Sequence, residues 1–157
     1  MPCIVLDNGT VLNENAATLQ YIGDLDPLHS VLPAAGTIAR YEVIGLLSYI
    51  GTEYHKTVQN LFNPSLPTEI RSYFHAAANA KLSYIDIYLL GNGKIFLVGN
   101  TISVADIYLY ICLSWSRYID LDLELYPNVT AFYNRINDLE AVRLAMDKMA
   151  TKPTYSS

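Results

Sequence analysis

The hydrophobic and polar positions divide the chain into a short N-terminal part with strand character and a long helical part. Residues 3–6 form an apolar run, Asp7-Asn8-Gly9 supplies a turn of the kind that closes hairpins, and residues 10–12 continue as a second strand. Asn13, Glu14 and Asn15 are capping residues in front of a helical stretch at 16–22. The pattern therefore predicts a ββα unit, and such a small sheet is marginal by itself in water.

The rest of the chain has helical periodicity. Two prolines and a glycine at 25–36 predict a linker. Helical segments are predicted at 37–62, at 68–89, from Ser103, after Pro127 and at 140–149. The predicted organisation is a partial domain, a linker, a helical domain and a frayed tail, over residues 1–25, 26–36, 37–150 and 151–157.

Composition narrows the class of protein. Hydrophobic residues make up 52% and charged residues 16% of the 157 positions, which excludes a disordered chain. The net charge is −5 and no Lys/Arg run occurs, so we expect no nucleic-acid partner. No clean apolar stretch of about 20 residues and no signal peptide are visible, so no membrane association is expected. The prediction is a soluble, cytoplasmic protein.

The two cysteines, Cys3 and Cys112, lie in apolar surroundings and lack the spacing of metal ligands. We therefore expect buried, reduced thiols and no metal site. Trp115 is the single tryptophan, and packing in the core is its default role.

The sequence "ISVADI" at 102–107 is the clearest local motif. Ser103 can cap a helix, and Asp106 at the third helical position can reach back to the N–H of the capping residue. Ile102 and Ile107 occupy the two positions of a hydrophobic staple. The motif predicts a buried helix start with a structural role and no catalytic one.

A polar stripe follows the long predicted helix. Ser48, Thr52, His55 and Gln59 are spaced by four, three and four residues, so they share one helical face, and Lys56 follows the histidine. This stripe could line a pocket for a polar ligand, and the alternative is a solvated face. Apolar residues occupy mostly another face: Ile44, Leu47, Ile50, Tyr54 and Val58.

Glu14 and Asn15 stand at the start of the first predicted helix. Unpaired N–H groups and the helix dipole favour a carboxylate at such a place, and an acidic side chain beside it would meet an ammonium group. Together they suit an amino-acid zwitterion. The alternative is ordinary helix capping.

These pieces, in this order, resemble the glutathione transferase superfamily and most closely its bacterial, beta-class-like members. The similarity covers essentially the whole chain, and it rests on Pro2, "LDNGTVLNENAATLQYI" at 6–22, "GTEYHKTVQNLFNP" at 51–64, "FLVGNTISVADIYLYICLSWSRY" at 96–118 and "YPNVTAFYNRI" at 126–136. The resemblance implies a mostly α fold, in which a partial thioredoxin-like ββα unit precedes an all-helical C-terminal domain. The chain then starts at what resembles the family's third strand, so the strand–helix–strand segment with the thiol-activating residue would be missing.

The resemblance also implies a partial glutathione site without a catalytic residue. Met1 and Pro2 match the cis-proline connection that pairs with the cysteinyl part of glutathione. Glu14 would face the glutamyl ammonium and Asn15, where the family usually has a hydroxyl residue, the glutamyl carboxylate. The helical side of the site would be lined by Ser48, Thr52, His55 and Lys56, with Trp115 as a wall of the electrophile site.

By this resemblance the protein would conjugate glutathione, as substrate, to small hydrophobic electrophiles, as a homodimer. Two alternatives stay open. The chain could be a non-catalytic dimerisation or binding module, or it could be the truncated product of a longer coding sequence.

Overall fold

The computed structural model describes residues 3–150. Both predicted strands are present: β1 (Cys3–Val5) and β2 (Val11–Asn13) form an antiparallel pair in which Ile4 lies opposite Leu12. The hairpin between them turns at Gly9, whose φ of 82° is a conformation that glycine adopts readily. The predicted cis bond between Met1 and Pro2 and the predicted frayed tail at 151–157 lie outside the described residues.

The prediction of a buried Cys3 is wrong, whereas Cys112 is buried as expected, and both thiols are free. In the register of the hairpin, Ile4 and Leu12 share its half-buried face. Cys3 lies on the opposite face with Val5 and Val11, which are 66% and 51% exposed. The alternation of a strand therefore points this thiol to solvent.

The helices follow the predicted order. They are α1 (Asn15–Asp24), α2 (Ile38–Tyr49), α3 (Lys56–Val58), α4 (Thr68–Tyr84), α5 (Val104–Ser114), α6 (Pro127–Asn137) and α7 (Glu140–Ala150). The predicted helices at 37–62 and 68–89 are continuous but not regular. A π-helical segment, Ile50–His55, joins α2 to α3, a 3₁₀ turn at Gln59–Phe62 ends that run, and a second π segment, Ile85–Leu89, extends α4.

Helix α5 is the centre of the core. Nine of its residues are buried, on all sides of the helix, because α1, α2 and α6 pack around it. The apolar face predicted for the long helix is confirmed: Leu47, Ile50, Tyr54 and Val58 are at most 1% exposed. A helix buried all round explains why the chain is so hydrophobic.

The predicted linker at 26–36 is held against its neighbours. Leu32 is fully buried and lies against Gly23 of α1, where a Cβ atom would come within 2.6 Å of the leucine Cβ. Arg40 of α2 donates to both carboxylate oxygens of Asp24, over 2.7 and 2.9 Å. Such a bidentate pair fixes orientation as well as distance, so α1 has a defined position on α2.

The capping box predicted at the start of α5 is present. The Asp106 carboxylate accepts from the backbone N–H and the hydroxyl of Ser103, over 2.8 and 2.6 Å, and from the N–H of Leu97 over 2.8 Å. Ile102 and Ile107, the predicted staple residues, are half-buried and pack against the core. Asp106 itself is fully buried, and burial raises the pKa of its carboxyl although the hydrogen bonds act in the opposite direction.

The start of α6 is capped from another helix. The carboxylate of Asp86, in the π segment after α4, accepts from the N–H groups of Asn128 and Val129 over 2.7 and 3.0 Å. Pro127 occupies the first turn, where its missing N–H costs nothing. None of the helices within residues 3–150 combines the length and the apolar composition of a membrane span.

Candidate functional site

The start of α1 is open. None of the described side chains caps it, so the predicted capping by residues 13–15 is wrong, and the N–H groups of Asn15 and Ala16 have no partner among the described residues. Glu14, which precedes the helix, has φ 72° and ψ 130°, a combination that is strained for a residue with a Cβ atom. Its side chain is exposed. A strained residue beside unpaired donors indicates a binding role more than a stabilising one.

The π-helical segment after α2 carries His55 against α5. The imidazole Nδ1 lies 2.7 Å from the hydroxyl oxygen of Tyr108, and the two rings meet edge to face with 5.8 Å between their centroids. His55 is half-buried, and this burial lowers its pKa. Single π-turns inside α-helices are frequently found at functional sites, and this one sets the direction of the histidine.

Tyr108 lies between His55 and the start of α1. The Asn15 side chain lies close enough to its hydroxyl to affect the ionisation of the phenol. Burial raises the pKa of Tyr108, the neighbouring Asn15 side chain lowers it, and the nearby Glu14 carboxylate raises it. The structure thus brings three of the predicted site residues, Glu14, Asn15 and His55, to one place.

Aromatic side chains line one side of the cluster that contains Glu14, Asn15 and His55. Trp115 directly follows α5, and its ring packs edge to face on His55 with 4.8 Å between centroids. Phe62, which is 46% exposed, packs on Trp115 at 5.7 Å. The predicted wall residue is therefore next to the predicted histidine, and together with Phe62 it offers an apolar surface to a small ligand.

The remaining residues of the predicted stripe are at the surface. Ser48, Thr52, Lys56 and Gln59 are exposed, and the Thr52 hydroxyl donates to the carbonyl of Ser48. Only His55 of the stripe turns inward. The other members lie at the surface beside it.

Sequence reasoning missed Tyr108 as a site residue. Thirteen tyrosines occur in the chain, and this one lies within the apolar run of α5, where packing is the natural interpretation. Its partner His55 is 53 positions away. No local spacing could have indicated this pair, because only the packing of α5 on the π segment creates it.

A groove of about 660 Å³ lies elsewhere, between α2, the end of α4 and the loop at 94–99. Its walls include Leu46, Tyr49, Tyr84 and Lys94, and none of the site residues above lines it. In the part of the chain that the structure describes, no three His, Cys, Asp or Glu side chains are grouped so that they could hold a metal ion.

Comparison with known proteins identifies the family. The sequence model of "Glutathione S-transferase, C-terminal domain" matches residues 53–144. The chain is 33% identical over 152 residues to glutathione S-transferase GstA of Escherichia coli O157:H7, covering 97% of this chain and 75% of that protein.

Similar solved structures indicate the same family. A sphingomonad glutathione S-transferase complexed with glutathione superposes with a TM-score of 0.90 at 35% identity, over 97% of this chain and 75% of the other. A beta-class glutathione S-transferase of Sphingomonas chungbukensis gives a TM-score of 0.88 at 36% identity, over 94% and 73% of the two chains. The fold, the capping box and these matches have one explanation: the chain belongs to the glutathione S-transferase family and resembles its bacterial beta-class members.

Proposed function

We propose that this chain binds glutathione between the open start of α1 and His55, as part of a site in which the glutathione thiolate is conjugated to small hydrophobic electrophiles. One observation carries the proposal: the Tyr108 hydroxyl lies 2.7 Å from Nδ1 of His55 and beside the Asn15 side chain, so elements far apart in sequence meet at one polar surface. The glutathione complex of the sphingomonad relative supports the choice of ligand.

The glutamyl end of glutathione carries both an ammonium and a carboxylate group, which suit the start of α1. In this proposal the exposed Glu14 carboxylate pairs with the ammonium group. The carboxylate meets Asn15 and the first N–H groups of α1, where the helix dipole adds to the attraction. The strain at Glu14 is then a cost of holding its side chain in position.

The cysteinyl end would extend toward His55. Met1 and Pro2 are proposed to pair with the cysteinyl backbone, and Ser48, Thr52 and Lys56 to contribute the outer polar edge of the site. Trp115 and Phe62 supply an aromatic wall for the electrophile. None of these residues is assigned the activation of the thiol. We propose that this step depends on a residue of the strand–helix–strand segment that precedes this region in the family, since the thiolate is the reacting species.

The test is calorimetric titration of glutathione into the chain. We expect saturable binding in the millimolar range, about −4 kcal/mol, and its loss in Glu14→Ala. Glu69→Ala is the matched control, because Glu69 is an exposed glutamate at the start of another helix, in its first turn. Absence of binding to a folded wild-type chain, or equal binding by Glu14→Ala, contradicts the proposal.

A second candidate is a non-catalytic module that forms a homodimer. Large apolar side chains are exposed on α2 and on α4 with its π extension, and they include Ile38 at 76%, Tyr41 at 62%, Tyr73 at 67% and Tyr88 at 68%. Such a face favours association. This candidate predicts a stable dimer in sedimentation whose calorimetric titration with glutathione gives no binding.

A further inference from the structure

Phe62, the exposed aromatic residue of the site, is flanked by two backbone carbonyl groups that one arginine holds. It ends the 3₁₀ turn Gln59–Phe62 and is 46% exposed. Arg71 of α4 donates from Nη1 to the carbonyl of Leu61 over 3.0 Å and from Nη2 to the carbonyl of Asn63 over 2.6 Å. One guanidinium group therefore clamps the chain immediately before and after Phe62.

The two carbonyl groups lie at the end of a helical run. That run ends at Asn63, whose ψ of 111° is extended, and Pro64 follows. The last carbonyl groups of a helix have no N–H partner within it, and the partial negative charge at this end favours a cation. Since the donors of a guanidinium group are fixed in one plane, Arg71 holds both acceptors in a defined relative position. Without this partner we expect the end of the run to fray.

The clamped turn carries the outer member of a row of three aromatic rings. Phe62 meets Trp115 at an interplanar angle of 84° with 5.7 Å between centroids, and Trp115 packs on His55 at 71° and 4.8 Å. The inner end of the row is fixed, because His55 is half-buried and lies 2.7 Å from the Tyr108 hydroxyl. Phe62 is the most exposed of the three, so the position of its ring depends on the backbone that carries it.

We infer that Arg71 is a positioning residue, which fixes Phe62 against Trp115 and thereby sets the aromatic wall for the electrophile. Aromatic rings attract one another in offset or edge-to-face arrangements, so this wall suits a flat aromatic electrophile. The inference rests on the proposed function for its purpose. It adds a residue of α4 that neither the sequence motifs nor the resemblance indicated.

The test uses meta-dinitrobenzene, an electron-poor aromatic compound that lacks a leaving group and therefore binds without being conjugated. Trp115 is the single tryptophan of the chain, so quenching of its fluorescence reports on binding at the wall. We expect saturable quenching in the wild type and about tenfold weaker binding in Phe62→Ala. Arg71→Met keeps an unbranched side chain but removes the donors, and we expect it to weaken binding by about fivefold.

Arg135→Met is the matched control. Arg135 also donates from Nη1 to a backbone carbonyl of a distant segment, that of Ile95 over 2.9 Å, and its removal should leave the affinity for meta-dinitrobenzene unchanged. Without ligand, the emission of Trp115 should move to longer wavelength in Arg71→Met, because a displaced Phe62 ring exposes the indole to water. Arg71→Lys keeps the charge but not the planar fork. It should have an intermediate affinity, and it replaces Arg71→Met if that variant does not fold.

A double variant shows whether Arg71 acts through Phe62. When Phe62→Ala is already present, Arg71→Met should cause no further loss of affinity, because the ring that Arg71 positions is gone. An equal loss with and without Phe62→Ala overturns the inference. Unchanged affinity in Arg71→Met alone, or no saturable quenching in the wild type, also overturns it. Because these measurements contain no glutathione, their failure is distinct from a failure of the calorimetric titration.

Discussion

The chain contains two helix starts that differ in what happens to the first backbone N–H groups, which have no partner within the helix. At α5, Asp106 and Ser103 form a closed, buried network that also takes up the N–H of Leu97. At α1, no side chain within residues 3–150 caps the helix, and the residue before it is strained and exposed. The first arrangement leaves no donor for a ligand, and the second leaves the N–H groups of Asn15 and Ala16 without a partner among the described residues.

The difference shows how the fold separates stability from binding. A helix start that is satisfied internally contributes to the free energy of folding. An open helix start lacks that contribution, but its unpaired N–H groups and the positive end of its dipole favour the binding of an anionic group. The two kinds of helix start are close together in this molecule, since α1 packs on α5 and the Tyr108 hydroxyl lies beside Asn15, the first residue of α1.

The largest effect is expected at the closed start. Asp106→Ala leaves three buried donors without an acceptor, so we expect it to lower the free energy of unfolding by at least about 3 kcal/mol. Urea denaturation measures this loss. Asp122→Ala is the control, because Asp122 caps an exposed 3₁₀ turn, and we expect it to cost about 1 kcal/mol or less. Equal losses in the two variants would remove the distinction between a closed start and an ordinary cap.

A smaller effect of opposite sign is expected at the open start. Glu14→Gly should raise the free energy of unfolding by about 1 kcal/mol, because glycine accepts a positive φ that strains other residues. Glu14→Ala keeps the Cβ atom and should change stability by less than about 0.5 kcal/mol. Both variants should lose glutathione binding. If the two variants are equally stable, then strain at Glu14 does not explain its conformation.

The smallest effect concerns His55 and pH. Burial holds the pKa of folded His55 below its ordinary value of 6.5, so the unfolded chain takes up the proton first as pH falls. Stability from this group is therefore complete above about pH 6.5 and decreases as pH falls toward the folded pKa. Because the side chain is only half-buried, the loss should be no more than about 1 kcal/mol.

The measurement is urea unfolding of the wild type and His55→Asn at about pH 7.5 and about pH 5.5. The variant should lose less stability than the wild type between these two values. An equal or larger loss in the variant would show that burial of His55 does not disfavour its protonation.

Sequence reasoning succeeded where the signal is local. The capping box of α5 depends on residues three apart, and the hairpin turn depends on Gly9 and its neighbours, so both could be predicted from short motifs. Helix order followed from periodicity and from prolines such as Pro127. These features are properties of short segments, and the fold preserves them.

The errors and omissions arise where distant segments decide the outcome. Capping at Glu14 was predicted from residue type, but its φ of 72° removes the geometry that a cap needs. Cys3 was expected to be buried, but strand alternation does not say which face of a small sheet is covered. The Tyr108–His55 contact depends on a π segment that periodicity does not reveal.

The capping of α6 by Asp86 has a consequence for how the molecule opens. Both N–H groups that this carboxylate accepts from belong to α6, while the carboxylate itself belongs to the segment after α4, 42 and 43 positions earlier. Two N–H groups in the first turn of α6 are therefore capped by a residue outside that helix. This turn cannot separate from the end of α4 without leaving the Asp86 carboxylate and these N–H groups unpaired. The amide protons of Asn128 and Val129 should exchange with solvent only when both elements open together, as one cooperative unit.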